Sequence, residues 1–258
     1  MSVASTIYGI VARDLQRAGR QKSRFIGGLA RPFMWLLLIG TGFNAITRVG
    51  AGLSYHAFVF PGVVVMASLF GGMLTAISTV YDREFGMLRL MLASPAGVPA
   101  LLTGRATSAA AVGFLQGGIV PAFAPLVADI TPGQFVAGLG ALAVNSISSG
   151  ILGLLVASRL RSVENFSGVI NVLLFPLLFL SGALYPTAGM PPALKMAASL
   201  NPVSYQVDLM RHALGQPGEF PLAYDLAALA LGVALSFAAA ALLFDPEQRF
   251  IERPAQGK

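Results

Sequence analysis

The sequence predicts an all-α integral membrane protein with six transmembrane helices. Only 11% of its 258 residues are charged and 55% are hydrophobic, whereas soluble domains carry about 25% charged residues. Several apolar runs approach or exceed the roughly 20 residues that a helix needs to cross a bilayer. Basic residues, in addition, collect in alternate connections between these runs. Together these features exclude a soluble globular domain.

Six candidate spans are separated by more polar connections. The first is short and reaches full length only by including residues 25–30, which leaves Arg31 to extend toward the interface. The third contains Pro121 and Pro125, expected to kink it, and small residues such as Gly113, Gly117 and Gly118 that permit close helix packing. The predicted spans are 32–46, 57–80, 106–127, 134–157, 166–185 and 222–244.

The amino-terminal segment 1–31 is predicted to be an amphipathic interface helix. Apolar residues recur at helical spacing from Val3 to Ala18, while Arg13, Arg17 and Arg20 share the opposite face. This pattern favours a helix along the bilayer surface with its arginines toward lipid headgroups, over a basic leader before a cleaved signal sequence. The six-span domain is then 32–244, and 245–258 is a cytoplasmic tail.

The basic residues predict the orientation. With the amino terminus inside, fourteen of the seventeen lysines and arginines lie in cytoplasmic segments, and only Arg48, Lys195 and Arg211 lie outside. Cytoplasmic segments of membrane proteins are enriched in Lys and Arg, so both termini are expected in the cytoplasm. Five or seven spans would destroy this alternation.

Several kinds of chemistry are excluded or disfavoured by residue type. No G-x-x-x-x-G-K-[ST] loop is found, so ATP is not bound by that route, and the lack of cysteine excludes a thiol nucleophile. The two histidines, His56 and His212, are interpreted as outer loop or interface residues rather than metal ligands. The spans carry few ionisable residues, and the sixth has only Asp225, unlike those of ion-coupled carriers. Energy for any transport is therefore expected to come from a partner.

The connection after the second span, 81–95, is the first informative polar segment. Asp82 and Glu84 are expected in the first turn of a short helix that Pro95 ends. Phe85, Leu88 and Leu92 would form one apolar stripe, with Arg83 and Arg89 available to a partner. Such a helix could transmit force from a docked protein, or the segment could be an amphipathic loop lying on the membrane.

The connection between the fifth and sixth spans, 185–215, is the second informative segment. A short helix opened by prolines is predicted over 191–199, and Asn201 and Pro202 are typical N-cap and first residues of another that Gly215 ends. Both helices are too short to span and too apolar for a plain loop. They are expected to dip into the outer leaflet or cap the pathway.

These segments, in this order and separation, resemble those of the ABC-2 type permeases, the membrane subunits of ATP-binding-cassette exporters, in particular the drug-resistance and nodulation-factor branch. The resemblance covers nearly the whole chain. It is carried by Pro61-Gly62, Arg83-Glu84-Phe85-Gly86-Met87-Leu88 with Ser94-Pro95, Phe175-Pro176, Leu180-Ser181-Gly182, Pro186, Met190-Pro191, Asn201-Pro202-Val203-Ser204-Tyr205 and Arg211.

The resemblance implies a six-span ABC-2 type transmembrane domain with an amino-terminal amphipathic interface helix, a cytoplasmic coupling helix and outer re-entrant helices. It implies a transport subunit rather than an enzyme, in a bacterial inner membrane, with a second copy, lipid and a cytoplasmic ABC ATPase as partners and no nucleic acid. ATP and Mg²⁺ would be bound by the ATPase, which is expected as a separate chain, and no cofactor by this one. Substrates of the family are amphipathic: drugs, lipids or lipid-linked saccharides.

By matching position the resemblance implies two sets of functional residues. The coupling segment would comprise Arg83, Glu84, Phe85, Gly86, Met87, Leu88 and Arg89. The outer re-entrant gate would comprise Pro186, Pro191, Asn201, Pro202, Tyr205 and Arg211.

Three other functions remain open from the sequence. An ATP-driven importer permease would need a substrate-capture partner, and a membrane-embedded lipid-modifying enzyme would need polar catalytic residues at the interface. The third is a membrane scaffold that transports nothing.

Overall fold

The computed structural model describes residues 3–44, 48–49, 53–92, 97–126, 130–160 and 162–244. The predicted tail 245–258, Pro95 and Arg161 therefore lie outside the described residues. In these ranges the chain forms helices α1 (Val3–Arg20), α2 (Lys22–Met34), α3 (Gly40–Asn44), α4 (Tyr55–Glu84), α5 (Met87–Leu92), α6 (Gly97–Ile119), α7 (Pro132–Arg159), α8 (Val163–Leu180), α9 (Pro192–Leu200), α10 (Pro202–Ala213) and α11 (Leu222–Leu243).

Shorter elements complete the described chain. A π-helical turn, Trp35–Ile39, joins α2 to α3, and 3₁₀ segments cover Val120–Leu126 and Thr187–Gly189. Strands β1 (Arg48–Val49) and β2 (Leu53–Ser54) pair antiparallel, with Arg48 opposite Ser54. The 3₁₀ segment begins one residue before Pro121, where a continuous α-helix would lose a backbone donor.

Within the described ranges, six helical segments are long and apolar enough to cross a membrane, which agrees with the predicted number. They are Phe25–Phe43, Tyr55–Glu84, Gly97–Ala124, Pro132–Arg159, Val163–Leu180 and Leu222–Leu243. The first does include residues before 32, as predicted. The third begins at Gly97 rather than near 106, because Arg105 is paired inside the protein and does not end the helix.

The central element is α4, which is buried along almost its whole length. Small residues let α6 and α7 approach it. A Cβ added at Gly113 would lie 2.8 Å from the Ser68 carbonyl oxygen, and one at Gly117 would lie 2.5 Å from Leu142 Cδ1. The predicted close packing at these two glycines is thus confirmed, while at Gly118 the contact would be an ordinary 3.9 Å.

The bundle has two distinct ends, about 45 Å apart along the 30 residues of α4. At one end, Ile10 of α1, Leu88 of α5 and Phe244 share one apolar cluster; this is called the α5 end below. At the other end, Gln216 Nε2 donates a 2.7 Å hydrogen bond to the Ala57 carbonyl at the start of α4; this is the α10 end. The described amino-terminal helix and residue 244 therefore lie at the same end, as six spans require.

Candidate functional site

The turn between α4 and α5 is sharper and begins later than predicted. Tyr81–Glu84 continue α4, and the short helix starts only at Met87, so the expectation that Asp82 and Glu84 occupy its first turn is wrong. Gly86 separates the helices with a φ of 77°, a left-handed conformation that favours glycine. Glu84 acts on a different helix: its Oε2 accepts a 2.9 Å hydrogen bond from the N–H of Val163, which opens α8.

Arg83 is not available to a partner, contrary to the sequence-based expectation. Its Nη1 donates to the carbonyls of Ala157 at 3.0 Å and Leu160 at 2.7 Å, which are acceptors that the end of α7 leaves without helical donors. Its guanidinium also lies 5.1 Å from the centre of the Phe244 ring. Arg83 therefore holds α4 to α7 and to the end of α11.

The predicted apolar stripe of the short helix is divided between two faces. Phe85 is 72% exposed and stacks on Tyr81 with ring centres 6.0 Å apart, whereas Leu88 is buried. Met87 is also exposed. The side chains of Arg89 and Leu92 lie outside the described residues. Phe85, Gly86 and Met87 are the residues of this turn that are exposed on the protein surface.

Directly before this turn lies a buried ion cluster of Arg13, Asp14, Asp82 and Arg105. Arg105 donates to Asp82 Oδ2 and to Asp14 Oδ2, the latter at 2.9 Å, and to the Ser78 hydroxyl at 3.0 Å. Asp82 Oδ2 also accepts from Arg13 Nη2 at 2.8 Å. Two cations thus balance two anions in a site where an unpaired charge would be costly.

This cluster corrects two expectations from the sequence. Few ionisable residues were expected inside the protein, yet the side chains of Asp14 and Arg105 are 1% and 2% exposed. Arg13 and Arg17 were expected to face lipid headgroups, but Arg17 lies 3.8 Å from Asp82 and its guanidinium 5.5 Å from the Tyr81 ring. The side chains of Arg13 and Arg17 are 39% and 40% exposed, while Arg20 is exposed and has no described ion pair. Asp14 of α1 and Asp82 of α4 attract the guanidinium groups of Arg13 and Arg17 toward the protein.

The charge state of Arg13 follows from the same contacts. Partial burial alone would lower the pKa of its guanidinium, but the carboxylates of Asp82 and Asp14 outweigh this effect and raise that pKa above its ordinary value. Arg13 is therefore charged at every physiological pH.

At the α10 end the predicted helices are confirmed. Pro191 precedes α9, Asn201 Oδ1 accepts the Val203 N–H at 3.0 Å as an N-cap, and Pro202 is the first residue of α10. Gly215, with a φ of 71°, follows the end of α10. Asn201 Nδ2 also donates to the Leu177 carbonyl at 2.7 Å, which joins this cap to α8.

The remaining gate candidates tie the α8–α10 connection to the bundle. Arg211 Nη2 donates to the Gly182 carbonyl at 2.6 Å, and its guanidinium lies 4.6 Å from the Phe58 ring centre. The Tyr205 hydroxyl donates to the Ser199 carbonyl. Pro186 precedes the 3₁₀ turn at Thr187–Gly189. These contacts bring the predicted gate residues into one region.

Helix α10 is buried far more deeply than α9. Every residue from Val203 to Arg211 is buried, while most of α9 is exposed. Gln206, which is fully buried, donates from Nε2 to the Ser148 hydroxyl at 2.9 Å, and its backbone carbonyl accepts from Asn145 Nδ2 at 2.9 Å. Sequence analysis missed this contact because Gln206 and Asn145 carry no motif. A glutamine on an otherwise apolar helical face was the available signal.

His212 was interpreted as an outer loop or interface residue, and the structure places two acids beside it. Its Nε2 lies 3.5 Å from Asp225 Oδ2 and 3.8 Å from Asp208 Oδ2. His56 lies in the first turn of α4, with Nε2 3.4 Å from the Thr41 hydroxyl.

Comparison with known proteins places this six-span bundle among transporters. The profile of one family, described as ABC-2 type transporter, matches residues 6–214, a range that includes the α4–α5 turn and all of α10. The chain belongs to the ABC-2 type transporter family. The predicted resemblance is therefore confirmed, and the molecule is an ABC-2 transport permease.

Individual relatives agree with this assignment. The permease is 29% identical to the putative transport permease ycf38 of Pyropia yezoensis over 228 residues, which cover 82% of this chain and 74% of the relative. It is 27% identical to ycf38 of Cyanophora paradoxa, with 80% and 72% covered. Nodulation protein J of Rhizobium leguminosarum bv. viciae is 26% identical, with 74% and 75% covered.

Proposed function

We propose that this permease is the membrane subunit of an ABC exporter that moves an amphipathic substrate across a bacterial inner membrane. ATP and Mg²⁺ are bound by a separate ATPase subunit, and two permease chains work with two ATPase chains. The α5 end faces the cytoplasm, which is consistent with its share of the basic residues. The observation that carries the proposal is α4, one continuous helix from the exposed α5-end turn to the gate candidates.

The proposed docking surface is the turn formed by Phe85, Gly86 and Met87. An exposed aromatic ring and a methionine are the residue types that interfaces use as anchors. The left-handed Gly86 holds Phe85 outside the apolar cluster that receives Leu88. A partner that moves this turn moves the end of α4.

Movement at this turn would reach other helices through three contacts. Arg83 joins α4 to α7, Glu84 joins it to α8, and Asp82 joins it to α1 and α6. The contacts of Arg83 and Glu84 are hydrogen bonds between a charged side chain and a backbone group, and such bonds are stronger than those between neutral groups. The α5 end therefore moves as a unit rather than as one loop.

At the opposite end, α4 contacts the proposed gate directly. The Tyr55 hydroxyl donates to the Leu184 carbonyl at 2.9 Å. A Cβ added at Gly62 would lie 2.6 Å from the Ala183 Cβ, so the gate backbone rests on the α4 surface. A shift of α4 then displaces residues 182–184 together with Arg211, which is bonded to Gly182.

The proposed amphipathic cargo is supported by a groove beside α2. Charged and amide side chains face apolar ones there, and the Gln116 side chain is 3% exposed with its Oε1 lacking a described hydrogen-bond partner. The residues that line this groove include Arg17, Gln21, Phe25, Leu74, Thr75 and Gln116. The cavity of about 40 Å³ admits only part of an amphipathic molecule, so the support for this cargo is the mixed polar and apolar lining and not the size of the site.

Co-purification with the candidate ATPase tests the proposal. Phe85→Ala is expected to weaken ATPase binding at least about tenfold, as truncation of an interface anchor does. Tyr8→Ala is the matched control, because Tyr8 is an equally exposed aromatic residue (75%) on α1. Substrate-stimulated ATP hydrolysis in proteoliposomes is the second measurement.

The exporter proposal is overturned if no ATPase subunit binds the wild-type permease. If Phe85→Ala and Tyr8→Ala retain binding and stimulated hydrolysis equally, the proposed docking surface is wrong and lies elsewhere on the α5 end.

A further inference from the structure

A cluster of potential metal ligands lies at the α10 end, between α10 and the first turn of α11. It consists of Asp208, His212 and Asp225. One ligand atom from each residue can be chosen so that all three lie within 4.8 Å of one another. The residues come from two helices separated in sequence by the 215–221 loop, so the fold itself brings them together.

The buried carboxylate of Asp225 has His212 as a described ion-pair partner but makes no described hydrogen bond. It is fully buried, and neither carboxylate oxygen has a described hydrogen-bond partner. Burial of an uncompensated carboxylate is strongly unfavourable, and buried charges in proteins are paired or coordinate metals. Its Oδ2 lies 3.5 Å from His212 Nε2.

The distances suit a cation held between these groups. Tetrahedral ligands with metal bonds of about 2.1 Å have ligand atoms about 3.4 Å apart. His212 Nε2 lies 3.5 Å from Asp225 Oδ2 and 3.8 Å from Asp208 Oδ2. In this structure Nε2 lies 2.8 Å from the Phe220 carbonyl oxygen, which can only accept, so Nε2 carries the proton and donates to it. Metal binding requires the other tautomer, with the proton on Nδ1, and the Phe220 carbonyl is then a further oxygen within reach.

Backbone N–H groups hold the carboxylate of Asp208 in place. In metal sites, the carboxylates that bind the metal are oriented by hydrogen bonds of this kind. Asp208 accepts hydrogen bonds from the N–H of Glu219 at 2.7 Å and of Phe220 at 2.8 Å. The same loop covers the imidazole: a Cβ added at Gly218 would lie 2.3 Å from His212 Nε2. His212 remains 26% exposed, which leaves a path to solvent.

We propose that Asp208, His212 and Asp225 bind one divalent transition-metal cation of the zinc class. A nitrogen ligand with two carboxylates favours Zn²⁺ or Mn²⁺ over Ca²⁺ and Mg²⁺, which prefer all-oxygen sites. The cation links α10 to α11 and so stabilises the packing of the proposed gate. This site is independent of the ATPase surface, and its test requires no transport.

Metal content of the purified full-length permease is the direct test. The protein is prepared with a tag that contains no histidine, stripped with EDTA, equilibrated with ZnCl₂ and dialysed, and zinc per chain is measured by plasma mass spectrometry. Wild type is expected to retain one zinc, and His212→Gln and Asp225→Asn to bind at least about tenfold more weakly. His56→Gln is the matched control, because His56 is the other histidine of the sequence. It lies outside the cluster, so this variant is expected to retain the metal.

Thermal unfolding in detergent provides a second readout. ZnCl₂ is expected to raise the melting temperature of the stripped wild type and of His56→Gln in a concentration-dependent way, while MgCl₂ does not. The two cluster variants should show no such rise. If the wild type retains no more zinc than Asp225→Asn and its melting temperature is unchanged by zinc, the proposal is wrong and the three side chains hold one another without a metal. The wild-type measurement decides this even if a variant fails to fold.

Discussion

Glu84, the last residue of α4, accepts a 2.9 Å hydrogen bond at Oε2 from the N–H of Val163, the first residue of α8. The first N–H groups of a helix have no acceptor within it, so this carboxylate supplies one and also carries the charge that a helix N-terminus favours. Ser162, the N-cap of α8, accepts from Asn165 N–H at 3.2 Å. The start of α8 is thus held partly by its own cap and partly by α4.

Glu84→Ala is therefore expected to destabilise the permease by about 1 kcal/mol, the usual effect of losing a helix cap. Glu84→Gln keeps an acceptor oxygen and should lose less. Thermal unfolding in detergent measures both. Glu164→Ala, an exposed acid one residue after Val163, is the control with a smaller expected loss. Equal melting temperatures for the two alanine variants would show that the contact between α4 and α8 contributes no stability.

The Arg105 guanidinium is the centre of the buried ion cluster, so its removal leaves Asp14 and Asp82 partly uncompensated. Arg105→Ala is expected to cost about 3–5 kcal/mol of stability, as loss of one partner from a buried ion pair does. Arg159→Ala, at the same end but exposed, should change stability by less than about 0.5 kcal/mol. Thermal unfolding and the yield of monodisperse protein are the measurements.

A second substitution separates charge from packing in the same cluster. Asp14→Asn added to Arg105→Ala removes one of the two uncompensated acids, so it should recover part of the lost stability. No recovery, together with equal stability of Arg105→Ala and Arg159→Ala, would contradict a balanced buried cluster.

The sequence predicts those parts of this permease that depend on local pattern. The spans follow from apolar length, and the start of α10 follows from the adjacent residues Asn201 and Pro202. The sites could not be predicted in the same way. Arg105 bonds to Asp14 across 91 positions and Arg83 caps α7 across 74, and these partners depend on how the helices pack.

The same limit applies to the surroundings of His212. Asp208 is one turn before it and could be paired from helical spacing alone, but Asp225 belongs to another helix. Only the fold of the 215–221 loop brings the second acid to the imidazole. A charged residue in an otherwise apolar span, such as Asp225, was the sequence signal for a buried partner.

Gly62 and Ala183 define how closely the gate backbone approaches α4. A Cβ at position 62 would lie 2.6 Å from the Ala183 Cβ, a distance that real side chains do not tolerate. Gly62→Ala is therefore expected to destabilise the permease by about 1–3 kcal/mol, the usual effect of overpacking. Gly232→Ala in α11, where a Cβ would meet nothing within 4 Å, should be neutral or stabilising by up to about 1 kcal/mol.

The double variant Gly62→Ala with Ala183→Gly tests whether this pair is the cause. It should recover only part of the stability, since the Ala183 Cα and carbonyl oxygen also lie 2.8 Å from the added Cβ. Thermal unfolding measures all four proteins. If Gly62→Ala is as stable as Gly232→Ala, the gate backbone does not rest on α4 in the way that the proposed transmission requires.

The natural lack of cysteine permits a clean test of which end faces the cytoplasm. Lys195 on α9 and Glu164 at the start of α8 are both exposed and lie at opposite ends of the bundle. With the α5 end in the cytoplasm, a membrane-impermeant maleimide should label Lys195→Cys in intact cells and Glu164→Cys only after permeabilisation. The unmodified protein is the blank, and a membrane-permeant maleimide checks that both thiols react. Labelling of Glu164→Cys alone in intact cells would show that the α5 end faces outward. Because the proposed ATPase is cytoplasmic, Phe85 and Met87 could then not be its docking surface.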